Sequence, residues 1–265
     1  MSIEGMTFVI TGGARGIGAE TARLAASEGA KVVVSDVLEE EGEATVADIV
    51  SAGGNAAFVA ADVTDPGQVE GLMRDAADTF GGIDVLHNNA GIHELMLTTD
   101  ALFDDLPLEV FDQVVAVNLR GPFICSKMAL PYLSASDRGP SIINAGSTAS
   151  FSGYPMGLAY GTSKGGIAQM TKNLAVALAP RGIRANCYCP AAVDTPMVEE
   201  VGRSAAVADT STPDRSETTV SGHLVGRIGA PRDIAELVCF LASDKASFVN
   251  GVTWLIDGGS LAWRG

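Results

Sequence analysis

Basic side chains are scarce in this chain of 265 residues. Its 17 lysines and arginines face 32 aspartates and glutamates, which leaves a formal net charge of −15 at pH 7. A field of that sign repels nucleic-acid phosphates and anionic lipid headgroups. We therefore expect neither nucleic acid nor a membrane surface among the partners, and the acidity favours solubility.

Long apolar runs are also missing, although hydrophobic residues make up 47% of the chain. No stretch approaches the ~18 consecutive apolar residues of a membrane span, and no charged leader with an apolar core and cleavage site is present. Neither export nor a span is predicted, so we expect a cytoplasmic protein. A chain of this length can bury one large core without a linker, which indicates a single domain over residues 1–265.

Metal ligands are few, with four cysteines and three histidines. Only Cys187 and Cys189 are close in sequence, and no CxxC motif or paired His/Cys spacing occurs. Alternation along a strand puts both thiols on one side among small buried residues. The sequence thus disfavours zinc and disulfides, and no metal is expected.

A glycine-rich turn gives the first positive signal. TGGARGIG, residues 11–18, lies between an apolar run and a helical pattern. Gly12, Gly16 and Gly18 allow a sharp turn and close approach of a ligand, and the N–H groups at the helix N-terminus attract negative charge. The motif predicts a dinucleotide whose pyrophosphate is held without lysine. Taken alone, such a turn is equally compatible with a plain surface turn.

Asp36 indicates which dinucleotide is bound. It closes the apolar run KVVVS, close to the roughly 20 residues beyond the last glycine at which an acid binds the adenosine ribose. A carboxylate there repels the 2′-phosphate of NADP, and Val37 follows where NADP binders generally place arginine or lysine. We therefore expect NAD. Arg15 is the dissenting residue, because it can reach a 2′-phosphate or face solvent.

Tyr160 and Lys164, in YGTSK, are four residues apart and share one helix face. A phenol has a pKa near ~10, but a neighbouring ammonium and an oxidised nicotinamide lower it towards the working range. Ser147 follows the apolar run 141–145 and can hold a substrate oxygen at a strand end. Taken singly, such a pair is more often surface decoration and such a serine is usually a cap.

In their order along the chain, these motifs resemble the short-chain dehydrogenase/reductase family, and the resemblance covers essentially the whole chain. The chain looks most like the bacterial NAD-dependent alcohol dehydrogenases and the 3-oxoacyl carrier-protein reductases. The resemblance is carried by TGGARGIG, Asp62-Val63, NNAG at 88–91, Asn118 in VNLRG, Ser147 in INAGS, YGTSK at 160–164, the strand 185–190 leading into DTP, and IDGG at 256–259.

The resemblance implies a catalytic tetrad. Tyr160 is the expected general acid/base, and Ser147 is expected to bind and polarise the substrate oxygen. Lys164 is expected to hold the nicotinamide ribose and lower the tyrosine pKa, while Asn118 holds a water that relays protons to Lys164. All four residue types stand at the matching positions.

The resemblance also implies how the cofactor is held. Asp62 and Val63 are expected at the adenine, the segment 89–91 beside the adenosine ribose, and Thr195 at the nicotinamide carboxamide. The full expected cofactor-binding set is Gly12, Arg15, Gly16, Ile17, Gly18, Asp36, Val37, Asp62, Val63, Asn89, Ala90, Gly91, Tyr160, Lys164, Pro190, Val193 and Thr195.

Two positions depart from the family pattern. Gly146 stands where a serine is common, which we expect to be harmless because Ser147 keeps its spacing to Tyr160. Ala191 follows Pro190 where glycine is usual, and this leaves the local turn and the seat of the nicotinamide open.

Apolar runs alternate with stretches of helical periodicity along the chain. The alternation predicts an α/β protein, a single-domain Rossmann fold whose doubly wound, seven-stranded parallel sheet has helices on both faces. The runs lie at 6–10, 31–35, 56–60, 83–87, 141–145, 183–189 and 252–256.

Residues 194–226 interrupt this alternation just after the expected nicotinamide contact. So long a weakly periodic stretch predicts a substrate lid, with disorder as the alternative. The expected cleft walls are apolar and favour a small hydrophobic alcohol over a phosphorylated sugar, although Arg203, Arg215 and Arg227 could serve an anionic group. The expected substrate residues are His93, Leu95, Met96, Ser147, Tyr154 and Met197.

We therefore expect an NAD-dependent oxidoreductase acting on CH–OH groups, which interconverts a small, largely hydrophobic secondary alcohol and its ketone by hydride transfer. One alternative is an NADPH-dependent 3-oxoacyl carrier-protein reductase, and a second is a catalytically silent nucleotide-binding scaffold. The resemblance also implies a homotetramer paired through the helices at 108–133 and 159–179, and a monomer is the alternative.

Overall fold

The computed structural model describes residues 3–208 and 223–262. They contain one parallel sheet, in which each strand starts and ends within two residues of a predicted apolar run. The strands are β1 Thr7–Thr11, β2 Lys31–Asp36, β3 Asn55–Ala60, β4 Val85–Asn88, β5 Ser141–Ala145, β6 Arg184–Pro190 and β7 Thr253–Ile256. Their order is β3-β2-β1-β4-β5-β6-β7. The predicted Rossmann fold is confirmed, and the order reverses between β1 and β4.

Helices cover both faces of the sheet. Asp65 accepts backbone N–H groups of the first turn of its helix ahead of Pro66, and Gly29 and Gly53, each with a φ of +87°, follow two helix ends. None of the described helices is long and apolar enough to cross a membrane. They are α1 Gly16–Ser27, α2 Glu39–Ser51, α3 Pro66–Phe80, α4 Leu108–Val115, α5 Gly121–Ala135, α6 Leu158–Leu178, α7 Pro196–Ala208 and α8 Pro231–Ala242.

Two apolar layers hold the sheet in place. On one face, Phe8 and Ile10 of β1 pack in a cluster with α1 and α8. On the other, Val9 of the same strand packs in a cluster with α3 and α5. Successive β1 side chains thus point into opposite layers, which is why a strand buried on both faces is continuously apolar.

The long helix expected at 108–133 is interrupted. Ala116–Arg120 form a π turn between α4 and α5. Pro122 has no N–H to donate to the carbonyl of Asn118, four residues earlier, so an undistorted α-helix cannot pass this point. The wider turn carries Asn118 at the edge of the cleft described below.

The expected lid at 194–226 is in part a regular helix. Its first part forms α7, and Val201 packs against a buried cluster that includes Leu95 and Met156. Packing on a neighbouring turn stabilises this helix, which the weak periodicity did not reveal, and the role of the segment as a substrate lid stays a prediction. Residues 209–222, with Pro213 and Arg215, lie outside the described residues.

Candidate active site

A cavity of about 430 Å³ lies at the carboxyl edge of the sheet, where the strand order reverses. This is the position at which open α/β sheets bind ligands. The structure brings most of the expected cofactor residues together around it. Those that line it are Gly12, Arg15, Gly16, Ile17, Asp36, Val37, Asp62, Val63, Asn89, Ala90, Gly91, Tyr160, Lys164, Pro190 and Thr195.

Two expected cofactor residues do not line the cavity and instead support its walls. A Cβ on Gly18 would lie 2.1 Å from the carbonyl oxygen of Gly12, so only glycine fits beneath the turn. Val193 is buried and pairs with Gly229 in an isolated bridge. The prediction that they touch the cofactor is not supported by this geometry, because both are covered by the segments they hold.

The glycine-rich turn fits a dinucleotide phosphate. Gly12 and Gly16 have φ values of +62° and +59°, and a Cβ on Gly12 would lie 2.7 Å from the Cα of Ala90. Arg15 at the N-cap of α1 makes no side-chain capping bond. The first N–H groups of α1 are therefore free to bind an anion in the cleft.

Asp36 closes the adenosine end of the cavity. Its Oδ2 accepts the N–H of Ala14 at 3.1 Å, and its Oδ1 accepts those of Val37 and Leu38 at 2.8 and 3.2 Å. These bonds tie the end of β2 to the glycine-rich turn and fix the carboxylate. The exposed Arg15 lines the same cavity, so both groups that bear on the choice between NAD and NADP stand at this site.

Tyr160 and Lys164 line the other end of the cavity, and Ser147 lies beside the phenol without lining the cavity itself. The Ser147 hydroxyl hydrogen bonds the phenol of Tyr160. The Nζ of Lys164 donates to the carbonyl of Ala145 at 2.8 Å and lies 5.5 Å from the centre of the tyrosine ring. Because β5 delivers the serine and α6 the other two, one strand and one helix set the geometry.

Burial changes the acid–base properties of this group. It raises the pKa of Tyr160 to about 12, against the lowering effect of the Ser147 hydrogen bond, and lowers the pKa of Lys164 to about 8. The predicted lowering of the tyrosine pKa includes the charge of an oxidised nicotinamide, so it stays a prediction. Desolvation is the largest cause for both groups, and the positive charge of a bound oxidised nicotinamide would favour the phenolate.

Asn118, the fourth residue of the expected tetrad, is buried, and its side-chain amide already makes hydrogen bonds to other groups of the protein. Oδ1 accepts the N–H of Ile92 at 2.8 Å, and Nδ2 donates to the Ile92 carbonyl at 2.8 Å and to the Ser163 hydroxyl at 3.1 Å. Both side-chain amide hydrogens of Asn118 are therefore already donated to protein groups. A water that relays protons would therefore bind more readily to the main-chain carbonyl of Asn118, because Pro122 has no N–H to donate to that carbonyl.

The expected substrate residues divide into two groups. Met96 and Met197 line the cavity, and the half-exposed Tyr154 hydrogen bonds the Thr148 hydroxyl at 3.0 Å. Leu95, by contrast, is 4% exposed within the buried cluster under α7. The placement of Leu95 in the substrate wall was wrong, because its side chain points into that cluster.

His93 lies against the reacting group. Its ring centre is 4.8 Å from that of Tyr160, and its Nδ1 accepts the N–H of Leu95 at 3.2 Å. Burial lowers the pKa of His93 to about 4, so the ring is neutral at physiological pH. It therefore contributes a neutral, flat surface beside the phenol.

The arginines considered for an anionic substrate are mostly committed elsewhere. Arg203 pairs with Glu199 at 3.1 Å, and Arg227 forms two bonds to Asp233 at 2.5 and 2.9 Å. Arg215 lies outside the described residues. Among the described residues that line the cavity, Arg15 and Lys164 supply its cationic side chains.

The structure explains both departures from the family pattern. A Cβ on Gly146 would lie 2.4 Å from the Sγ of Cys189 and 2.8 Å from that of Cys187, so these thiols take the space of a serine. Both cysteines are buried and free. No non-glycine residue in the described ranges has a positive φ, so Ala191 makes its turn without strain.

Sequence reasoning missed several wall residues. Half of them lie inside the motifs that carry the family resemblance, at positions without an expected cofactor or substrate role, and no local signal marks the others. They are Leu38, Ala61, Ile92, Leu97, Gln113, Val117, Ala145, Gly146, Tyr188 and Pro196.

Comparison with known proteins agrees with this arrangement. A family model described as enoyl-(acyl carrier protein) reductase matches residues 12–260. A cis-4-hydroxycyclohexanecarboxylate dehydrogenase from Sinomonas cyclohexanicum is 39% identical, with 96% of each chain covered. A 3-oxoacyl-(acyl-carrier-protein) reductase FabG from Thermotoga maritima is 38% identical over 98% of this chain and 99% of the relative. The chain belongs to the short-chain dehydrogenase/reductase family.

Solved structures support the assignment. A levodione reductase superposes with a TM-score of 0.88 at 32% identity, covering 98% of this chain and 99% of that one. A dehydrogenase/reductase from Sinorhizobium meliloti 1021 gives 0.86 at 36% identity, covering 98% and 96%. The protein is thus an oxidoreductase that acts on hydroxyl or keto groups with a nicotinamide cofactor.

Proposed function

We propose that this member of the family is an NAD-dependent dehydrogenase for a small, largely hydrophobic secondary alcohol, which it interconverts with the ketone. The observation that carries the proposal is that Tyr160, with Ser147 hydrogen bonded to its phenol, lines the same cavity as Lys164 and Asp36. Ser147, Tyr160 and Lys164 serve the reaction, and Asp36 determines which cofactor is preferred.

In the proposed mechanism one side chain accepts the proton and another binds the substrate oxygen. Ser147 holds the alcohol oxygen, and the Tyr160 phenolate takes the hydroxyl proton as the carbon loses its hydride. When bound, oxidised NAD supplies the hydride acceptor and a positive charge. Lys164 keeps a cationic group beside the phenol, and in ketone reduction Tyr160 returns the proton.

The preference for NAD rests on charge. The carboxylate of Asp36, held by three backbone N–H groups, would repel a 2′-phosphate at short range. Arg15 on the same wall supports the alternative, an NADPH-dependent 3-oxoacyl carrier-protein reductase, and one relative carries that name. We favour NAD because backbone hydrogen bonds fix Asp36, whereas Arg15 is exposed.

The substrate proposal rests on the cavity wall. Met96, Leu97 and Met197 present apolar side chains at the reacting end, and Arg203 and Arg227 are paired with carboxylates. A relative named for a hydroxycyclohexane and a structure named for levodione make cyclic alcohols the first compounds to try. An uncharged, compact ring suits such a wall.

We further propose a cytoplasmic homotetramer whose partners are its substrate and its own copies, without nucleic acid or a membrane. Phe123 on α5 and Val176 on α6 are 51% and 79% exposed. Large exposed apolar side chains on helices expected to pair favour association. Light scattering at micromolar concentration is expected to give four times the chain mass, and a monomer mass alone would contradict it.

The test of the reaction is steady-state turnover with NAD and with NADP on a panel of cyclic and aromatic secondary alcohols. We expect higher kcat/KM with NAD for at least one compact ring alcohol. The matched variant Asp36→Ala should narrow the gap between the cofactors by relieving the repulsion. Higher efficiency with NADP on a 3-oxoacyl thioester would favour the alternative, and no turnover with any compound would favour the silent scaffold.

A further inference from the structure

A buried carboxylate from a distant segment caps the helix that carries Tyr160. Glu94 opens a 3₁₀ turn and is 0% exposed. Its Oε1 accepts the N–H of Ala159 at 2.9 Å, and its Oε2 accepts that of Tyr160 at 3.1 Å. The residue at the N-cap of α6, Gly157, offers no side-chain cap, so Glu94 satisfies backbone donors that would otherwise be orphaned.

The contacts on either side of Glu94 connect this cap to the wall of the cavity. Two residues earlier, Ile92 lines the cavity and is bonded in both directions to Asn118. One of the capped N–H groups belongs to Tyr160 itself. The carboxylate therefore joins the backbone of the acid/base to the wall that follows β4, across a sequence separation of 66 residues.

Glu94 also sets the charge near the phenol. Its Oε2 is 3.4 Å from Nδ1 of His93, but burial keeps that imidazole neutral, so the histidine does not cancel the carboxylate. The other titratable groups facing Tyr160 are Tyr154 from the loop before α6, Tyr188 and Cys189 from β6, and Lys164 from α6. Burial raises the pKa of Glu94, but both of its oxygens accept backbone N–H groups, which favours the carboxylate form.

We propose that Glu94 is a positioning residue for the proposed reaction: its carboxylate holds the first turn of α6 so that Tyr160 faces Ser147, and its charge determines how readily the phenol gives up its proton. The inference rests on the proposed function only for the role of Tyr160. The cap itself follows from the two hydrogen bonds.

The test compares Glu94→Gln and Glu94→Ala with the wild type. Gln keeps one acceptor for the capped N–H groups and removes the charge, so the rise of kcat with pH should move about one unit to lower pH, as expected for loss of a nearby like charge. Ala removes both acceptors, and kcat should fall about 10²-fold, the scale of a 1 Å misplacement, with little change in the NAD dissociation constant. Glu109→Gln, on an exposed first turn of α4, is the matched control and should change neither.

A second readout does not depend on turnover. The absorbance of tyrosinate in the NAD complex, taken as the difference from Tyr160→Phe, should appear at lower pH in Glu94→Gln than in the wild type. An unchanged titration would overturn the charge role, and wild-type kcat in a folded Glu94→Ala protein would overturn the positioning role. If Glu94→Ala does not fold, the tyrosinate titration of Glu94→Gln tests the proposal. If the wild type turns over no alcohol, the proposed function is refuted, and the same titration still tests the role of Glu94.

Discussion

The two ends of the cavity are built in different ways. At the cofactor end, main-chain geometry decides: Gly12 and Gly18 leave no room for a Cβ, and Asp36 bonds only to backbone N–H groups. At the substrate end, side chains from separate segments decide, as where Met197 faces the cavity while Leu95 is buried under α7. The comparison teaches that binding of the cofactor is a property of a local motif, whereas the substrate pocket is a property of long-range packing.

Lys164→Ala should have the largest effect, because this residue serves both ends. Its ammonium lies 5.5 Å from the Tyr160 ring and bonds the carbonyl of Ala145 in the cavity wall. We expect kcat to fall by about 10²–10⁴-fold, the range for loss of acid–base assistance, and NAD to bind more weakly. Kinetics with calorimetric titration of NAD measure both, and Lys172→Ala, exposed on the same helix, is the control. If the variant loses only turnover or only NAD affinity, Lys164 serves one end of the cavity and not both.

Gly18→Ala should damage the cofactor end alone. The new Cβ would lie 2.1 Å from the Gly12 carbonyl and 2.7 Å from Nδ2 of Asn89, and it can be accommodated only by moving the turn. We expect weaker NAD binding and a loss of about 1–3 kcal/mol in unfolding free energy, typical of overpacking. Denaturant unfolding and NAD titration measure this. Gly71→Ala in α3, with no neighbour closer than 3.6 Å, should leave NAD affinity unchanged.

A pair of substitutions separates wall from core at the substrate end. Leu95→Ala should cost about 2–5 kcal/mol of unfolding free energy, because it empties a buried cluster. Met197→Ala should change KM for the alcohol with little loss of stability, since its side chain lines the cavity. Thermal melting and Michaelis kinetics on both variants test this. If Met197→Ala loses stability and Leu95→Ala changes KM, the helix α7 lies differently over the cleft.

A further effect is expected on stability in mild acid. Burial lowers the pKa of His87 to about 3 and that of His93 to about 4. Between those values and about 6.5 the unfolded chain binds more protons than the folded one, so stability is present at neutral pH and is lost as the pH falls through this window. Melting temperatures from pH 7 to 4 should show it. His93→Gln should flatten the slope, and an unaltered slope would rule out a contribution from His93.

The comparison of the two ends also explains what the sequence could reveal. The glycine-rich turn, Asp36 and the Tyr160–Lys164 pair are short-range patterns, each built on one turn or one helix face, and the structure brings them together as predicted. The seven strands were predictable for the same reason, because strands buried on both faces read as apolar runs.

The rest depends on contacts between distant residues. A lone acid such as Glu94 has no local pattern, and its partners are reached only after α6 has packed. Leu95 and Met96 are neighbours in sequence and equally apolar, yet only the fold decides that one is core and the other wall. The pKa of Tyr160 likewise depends on how deeply the residue is buried, which no motif states.

The most direct test of the division between the two ends is Tyr160→Phe, measured by steady-state kinetics alongside calorimetric titration of NAD. The ring remains and only the hydroxyl is lost, so the account predicts that alcohol oxidation collapses, by at least about 10²-fold, while the NAD dissociation constant stays within a factor of a few of the wild type. Near wild-type turnover in the folded variant would contradict the account, because another group would then carry the proton.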